Sequence, residues 1–339
     1  MKLSILMPSH NIGTRVKLNI LNACTMGSDG VEVIIRDNSG NAEKREYLSR
    51  IQEKNCRIVI VDECTAEENV KLLLNEAKGE FVYFMCDDDG SSAYALPDIL
   101  TELDKIKDTP AIIGTTGIFV MEEEARSKCI RFEHFNKTTS LGRFQDFFIQ
   151  TNHSIFQYSP IRRSVQKEVW SFLETLPIRF SHGDIMMNCM FLMHGRLTFI
   201  ERFFCQYINA NWANDELCLK SNAHYFRAAG LDASGVRLQW LIGLFEGAQT
   251  YASKYQGVHL PEWERQALAG VWIQHWFPHF LHTSCHQAED AQFDAHSLKL
   301  VEKWSAPKAF RIPELLDDIT EHFSLSSPEI AQRYYDFWK

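Results

Sequence analysis

Three consecutive aspartates, Asp87, Asp88 and Asp89, follow the apolar run "EFVYFM" and Cys86 and precede Gly90. Adjacent carboxylates repel one another at neutral pH, so three of them at the end of a buried element predict a cation among them. Mg²⁺ or Mn²⁺, held by one or two carboxylates and completed by substrate phosphates, accounts for the cluster. A solvated acidic turn feeding a helix is the competing explanation. A helix macrodipole contributes only about 0.3–1 kcal/mol, however, and asks for one acid rather than three. A diphosphate carries the charge that such a cation neutralises.

The elements that must position these acids are short apolar runs ending in turn residues, alternating with helical patterns. Strands are expected at "KLSILM", "VEVIIR", "CRIVIV" and "EFVYFM", and helices near residues 14–25, 42–54, 66–77 and 96–107. Alternation of this kind defines βαβ units and a mainly parallel α/β sheet. Ligands of open α/β sheets bind beyond the carboxyl ends of the strands. Those ends hold Pro8 to Asn11, Asp37 to Gly40, Asp62 with Glu63, and the aspartate triad. Asp37 opens "DNSG", which is also good turn and cap chemistry, so both readings stand.

Shorter strands are expected at "AIIGTTGIFVM", "KCIRFEHF" and "HSIFQYS", then helices near 163–174 and 184–194 and a strand "LTFIERFFCQYI". Beyond about residue 215 every segment has three- and four-residue apolar spacing, as helices do. The expected division is a domain of residues 1–215 and a helical C-terminal region of residues 216–339, without repeats or low-complexity linkers.

Of the chain's 339 residues, 45% are hydrophobic, and a net charge of -9 comes with 35 basic residues spread along it. The absence of a basic stripe argues against nucleic acid as a partner. Nine cysteines without a C-x-x-C pair read as reduced thiols of a cytoplasmic protein. The opening "MKLSILMPSHN" is too short an apolar run for a signal segment, and no run has the length of a membrane span.

"LSILMPSHN", "IIRDNSG", "AKGEFVYFMCDDDG" and "HGDIMMNCMFLMHGRLTFIE", in that order, resemble the landmarks of family 2 glycosyltransferases with the GT-A (nucleotide-diphospho-sugar transferase) fold, over roughly residues 2–205. The resemblance implies that Pro8 and Asn11 line a nucleotide-binding edge and that Asp37 accepts a hydrogen bond from the base, commonly uracil. It makes Asp87 and Asp89 the D-x-D metal pair, with Asp89 the direct ligand, and sets Asp87 and Asp88 against the donor. Asp184 takes the place of the catalytic base. The implied reaction is inverting transfer from a UDP-sugar to a hydroxyl of a glycan or lipid-linked glycan, at the inner face of a membrane. Homodimerisation and peripheral membrane contact are left open by the same resemblance.

Chemistry asks for the same division of labour. Sugar transfer needs a base beside the acceptor hydroxyl and a cation at the leaving diphosphate. Asp184 also suits helix capping, and the two roles are compatible. The sequence departs from the family in having Gly183 as the second residue of the E-D pair, with His182 before it. Val70 and Lys71 stand where an arginine-asparagine pair is common.

Three other readings are weighed against transfer. "IGTRVKL" is similar to the G-T-R of sugar nucleotidyltransferases but lacks the earlier glycines. A catalytically silent sugar- or nucleotide-binding module would keep the fold without the reaction. His275, His279, His282 and His286 have helical spacing suited to a metal, but Pro278 is expected to interrupt that helix. Trp240, Trp263, Trp272, Trp276, Trp304 and Trp338, with Tyr334 and Tyr335, exceed what surface helices usually carry, so some are expected to pack on the N-terminal domain and others to form a dimer contact or touch a membrane-borne acceptor.

Overall fold

The computed structural model describes all residues except 63, 124–125, 132–134, 151–155, 179–182, 209–214, 283–292 and 307–309. It divides into two units, residues 1–174 with 187–210 and residues 175–186 with 211–339.

In the first unit the elements run β1 (Leu3–Ser9), α1 (Thr14–Thr25), β2 (Val31–Asp37), α2 (Ala42–Ser49), β3 (Cys56–Ile60), α3 (Ala66–Glu76), β4 (Phe81–Phe84), β5 (Gly90–Ser91), α4 (Leu96–Ile106), β6 (Ile112–Glu123) and β7 (Arg126–Arg131). There follow α5 (Ser140–Gln150), β8 (Ile161–Arg162), α6 (Arg163–Thr175), α7 (Gly183–His194), which crosses the division, and β9 (Arg196–Ile208). Leu3, Ile5, Leu6 and Met7 are fully buried, as a central parallel strand covered on both faces must be. Around β1 the strands β2, β3 and β4 are all parallel. The full order is β3-β2-β1-β4-β8-β6-β9-β5, with β7 on β6, and β8 joins the halves by antiparallel pairing to β4 and β6.

The parallel half matches the expected pattern: the apolar runs β1, β2 and β4 each meet two neighbours in register, and β3 pairs with β2 as the edge strand. One expectation fails locally: Phe156–Tyr158, inside "HSIFQYS", form a 3₁₀ turn closed by Ser159 N–H on the Phe156 carbonyl, not a strand. The pairing strand is the adjacent Ile161–Arg162, too short to leave a periodic signal. Helix α5 was not expected, because Gly142 and clustered aromatics obscure its period. Its buried Arg143 donates to the Leu192 carbonyl at 2.7 Å and the Met193 carbonyl at 3.4 Å, satisfying carbonyls at the end of α7.

The second unit is built of α8 (Asp215–Ala228), α9 (Gln239–Gln249) with a following π-helical turn Thr250–Lys254, α10 (Glu262–Phe280), α11 (Ala295–Ser305), α12 (Ile312–Ser324) and α13 (Pro328–Trp338). Helices α9 and α10 meet where Gly247 leaves room for the Trp272 ring: a Cβ at 247 would lie 2.1 Å from that indole. The Trp272 N–H donates to the Gly243 carbonyl at 3.0 Å. Trp272, Trp276, Trp304 and Trp338 are all buried. Of the aromatic surplus, these four and Tyr334 are core, Trp240 and Tyr335 are half-buried, and Trp263 is 64% exposed.

Pro278 does not interrupt α10, which continues to Phe280. It lies in the last turn on an exposed part of the helix, as does Gln274, whose carbonyl loses its donor. Among the described residues no helix is long and apolar enough to cross a membrane.

Candidate active site

The end of β4 turns inward on Asp87. Its Oδ2 accepts from the Ser9 hydroxyl at 2.8 Å, the His10 N–H at 2.9 Å and the Asn11 N–H at 3.0 Å, while Oδ1 accepts from the Asn11 amide at 2.9 Å. Donors that leave β1 without strand partners thus converge on one carboxylate. Below them is Lys44, 2% exposed. Its Nζ lies 2.7 Å from Asp37 Oδ1 and 3.6 Å from Asp87 Oδ2, and donates to Ser9 Oγ and the Asn11 carbonyl, each at 2.7 Å.

The local fold explains how Lys44 gets there. Gly40 takes φ +66°, a left-handed conformation that turns the chain out of β2. Asn41 then caps α2 by accepting from the Lys44 N–H at 2.8 Å. A lysine in a helix's first turn opposes the macrodipole. Two buried carboxylates, Asp37 and Asp87, offset that cost and knit the ends of β1, β2 and β4 together.

The rest of the aspartate loop is held from outside. Asn19 and Asn22 of α1 donate to the carbonyls of Asp87 at 2.9 Å and Ser91 at 2.7 Å, and β5 pairs with Cys205 and Gln206 of β9. With Asp87 committed inward, Asp88 is exposed and Asp89 buried. Ligand atoms of Cys86, Asp88 and Asp89 lie within 4.8 Å of one another. Although its side chain reaches solvent, partial desolvation by the surrounding loop and then the Asp87 charge push the Asp88 carboxyl above its usual range. Burial and then the Asp89 charge push the Cys86 thiol well up, and that thiol is 3.3 Å from the Tyr158 hydroxyl. Two carboxylates gathered beside a thiol, with ligand atoms this close, suit a divalent cation, whose charge would reverse these shifts. The residues therefore fit one.

The expected site residues separate into groups. Asp87, expected as a metal ligand, has both oxygens engaged by protein donors, three on Oδ2 and one on Oδ1, while the ligand atoms that gather most closely are those of Cys86, Asp88 and Asp89. Asp37 is 0% exposed and bound to Lys44 and the Ser39 hydroxyl, so its carboxylate faces protein rather than an open base site. Pro8 is half-buried in β1 opposite Arg36, and Asn11 is exposed beyond it. Asp184 is in the first turn of α7, within residues 175–186 of the second unit, and its Oδ1 accepts from the Ile185 N–H at 3.1 Å.

Other candidates take structural places. Asp62 pairs with Arg45 at 2.7 Å on the surface. Val70 packs on the core around Leu6 and Leu73, and Lys71 pairs with Glu174 at 2.9 Å. Gly13, at φ +120°, precedes Thr14 and Arg15 at the start of α1. His275 and His279 are ring neighbours at 5.0 Å, His279 stacks on Trp240, and burial lowers His275 to about 4. Glu63, His182 and His286 lie outside the described residues.

Lys44, Cys86, Tyr158, Asn19 and Asn22 were not singled out in the sequence. Only Lys44 left a physical signal there, as a cation at a helix N-terminus that needs a local acid.

A parallel α/β half continued by a mixed sheet, with polar strand ends around an acidic loop and a helical C-terminal region, is a GT-A-like fold. Residues 4–170 match glycosyl transferase family 2, and over that stretch the chain is a family 2-like glycosyltransferase. It is thus an enzyme whose reaction depends on a nucleotide-sugar. No curated protein matches the sequence. Similar solved structures include S. aureus TarS 1–349, at 13% identity and TM-score 0.54, covering 100% of this chain and 90% of that one. The same protein in complex with UDP-GlcNAc has 14% identity and TM-score 0.51, with the same coverage. A Pyrobaculum calidifontis mannosyltransferase with GDP-Man and Mn²⁺ has 12% identity and TM-score 0.46, covering 99% and 84%. The TarS likeness carries the fold.

Proposed function

We propose that this enzyme transfers a sugar from a UDP-linked donor, with inversion at the anomeric carbon, to a hydroxyl of a glycan or lipid-linked glycan. The observation that most supports this is the split within the triad: Asp87 organises the nucleotide edge while Asp88 and Asp89, beside Cys86, face a common point. Asp88 and Asp89, with Cys86, would hold Mn²⁺ or Mg²⁺; when bound, the cation neutralises the departing diphosphate. Pro8 and Asn11 present the edge to the nucleotide, and Asp37 supports it through Lys44. Asp184 takes the acceptor hydroxyl proton as that oxygen attacks the anomeric carbon and the bond to the diphosphate breaks. The helical unit shapes acceptor choice, on the cytoplasmic side of the membrane.

The test is UDP release from UDP-sugars, UDP-GlcNAc first, with Mn²⁺ and with EDTA, alongside calorimetry of UDP and Mn²⁺ binding. Release should require the cation, and Asp89→Ala should lose Mn²⁺-dependent UDP binding while its circular dichroism is unchanged. Unaltered affinity in that variant removes Asp89 from the cation site. No nucleoside diphosphate in either buffer would point to a silent binding module. Pyrophosphate made from a nucleoside triphosphate and a sugar 1-phosphate would point instead to nucleotidyl transfer.

A further inference from the structure

Cys24, in the last turn of α1, and Cys56, the first residue of β3, bring their sulfurs to 3.1 Å, with the Cys56 thiol donating to Cys24. A disulfide spans about 2.05 Å, so closure needs an approach of about 1 Å. The backbone holds the two sulfurs at this range. After α1 the chain turns at Gly27, where a Cβ would lie 2.9 Å from the Lys54 carbonyl oxygen, and the Asn55 carbonyl accepts from the Val33 N–H at 2.8 Å. Two turns are therefore pressed together directly beside the pair.

The chemistry of the pair is also uneven. The hydrogen bond from Cys56 lowers Cys24 below the ordinary thiol value against the opposing effect of burial. The same bond, with burial, raises Cys56. One thiolate is therefore favoured and its partner keeps the proton. Cys24 is 2% exposed and Cys56 half-buried, so a small oxidant has an approach from the Cys56 side. Neither sulfur belongs to the strand-end site. Yet α1 is the helix whose Asn19 and Asn22 hold the aspartate loop, and β3 is an edge strand of the same sheet.

We propose that Cys24 and Cys56 are a redox modification site, a dithiol that hydrogen peroxide closes to an intramolecular disulfide tying α1 to β3. One thiolate attacks a peroxide oxygen; the O–O bond breaks, hydroxide leaves and a sulfenic acid forms. The partner sulfur then attacks the sulfenic sulfur. The S–S bond forms as the S–O bond breaks, and the two hydroxides leave as water after taking up the two thiol protons. Two thiols and one peroxide give one disulfide and two waters, with two electrons passing from sulfur to the peroxide oxygens.

The test treats the full-length reduced protein with hydrogen peroxide, titrates thiols after denaturation and maps peptides without reductant. Of nine thiols, two should be lost, with a Cys24–Cys56 peptide as the product. The melting temperature should rise by about 5 °C and return with dithiothreitol. Cys24→Ser and Cys56→Ser should each form no intramolecular disulfide at this site and show no reversible rise. Retention of all nine thiols, or a disulfide made from other cysteines, would overturn the proposal. The wild-type peptide map decides the matter even if a variant folds poorly.

Discussion

At the ends of β1, β2 and β4 the chain buries Asp37, Lys44 and Asp87 as charged partners and surrounds them with short hydrogen bonds. Within α9 it buries Glu246, whose carboxyl is pushed well above the usual range by burial and is hydrogen-bonded to the Tyr334 hydroxyl of α13. The first arrangement fixes the polar groups at the strand ends where the proposed nucleotide edge lies. The second is a lone acid whose burial favours its protonated form, in a helical unit whose core includes Trp272, Trp276 and Trp338. Buried charge is paired with opposite charge in the first region, whereas in the second burial works against charge altogether.

The sharpest way to break this comparison is to remove the cation at its centre. Lys44→Met leaves Asp37 and Asp87 buried without their counter-charge and should destabilise the first unit by about 3–5 kcal/mol in urea unfolding. Adding Asp37→Asn should recover at least half of that loss, since the carboxylate then has no charge to compensate. A loss below about 1 kcal/mol for the single variant would mean that water reaches the pair, and the two regions would no longer differ in kind.

A second test asks whether the helical unit carries chemistry as well as packing. Asp184 belongs by contact to residues 175–186 of that unit, yet it is the acid assigned to proton removal. Asp184→Asn should leave UDP binding intact and reduce turnover by about 100-fold or more, the scale of losing a general base. Normal turnover with the true acceptor would return Asp184 to a helix-end role and confine the chemistry to the sheet unit.

The legibility of the two regions in the sequence follows the same division. Strands β1, β2 and β4 were readable because parallel strands buried on both faces are continuous apolar runs, β3 because its half-exposed edge still carries an apolar run, and the polar ends of all four mark the ligand side. The three aspartates were found as a group, but their separation was not. Which carboxylate turns inward depends on the Ser9 hydroxyl, the backbone donors of His10 and Asn11, and Lys44, an alignment set by the sheet register. In the helical unit, periodicity gave α9 to α13 but not their partners. Trp272, for one, is buried because Gly247 leaves room for its ring on α9 and the Gly243 carbonyl accepts its N–H, which only the paired helices reveal.

The gentlest test works on Glu246. In the unfolded chain this carboxyl ionises near pH 4.3, whereas in the folded unit burial holds it protonated to much higher pH. Below about pH 4 both states carry the proton, and the stability tied to this group is fully present. As pH rises, the unfolded state releases the proton and the folded state does not, so stability falls by up to about 1.4 kcal/mol per pH unit until the folded carboxyl also ionises. Glu246→Gln keeps a partner for the Tyr334 hydroxyl but cannot titrate. Urea unfolding followed by tryptophan fluorescence from pH 4 to pH 8 should therefore show the wild type losing stability relative to the variant over the lower part of that range. Parallel profiles would show that the carboxyl is hydrated in the folded state, and the contrast between a charged site and a discharged core would rest on the sheet unit alone.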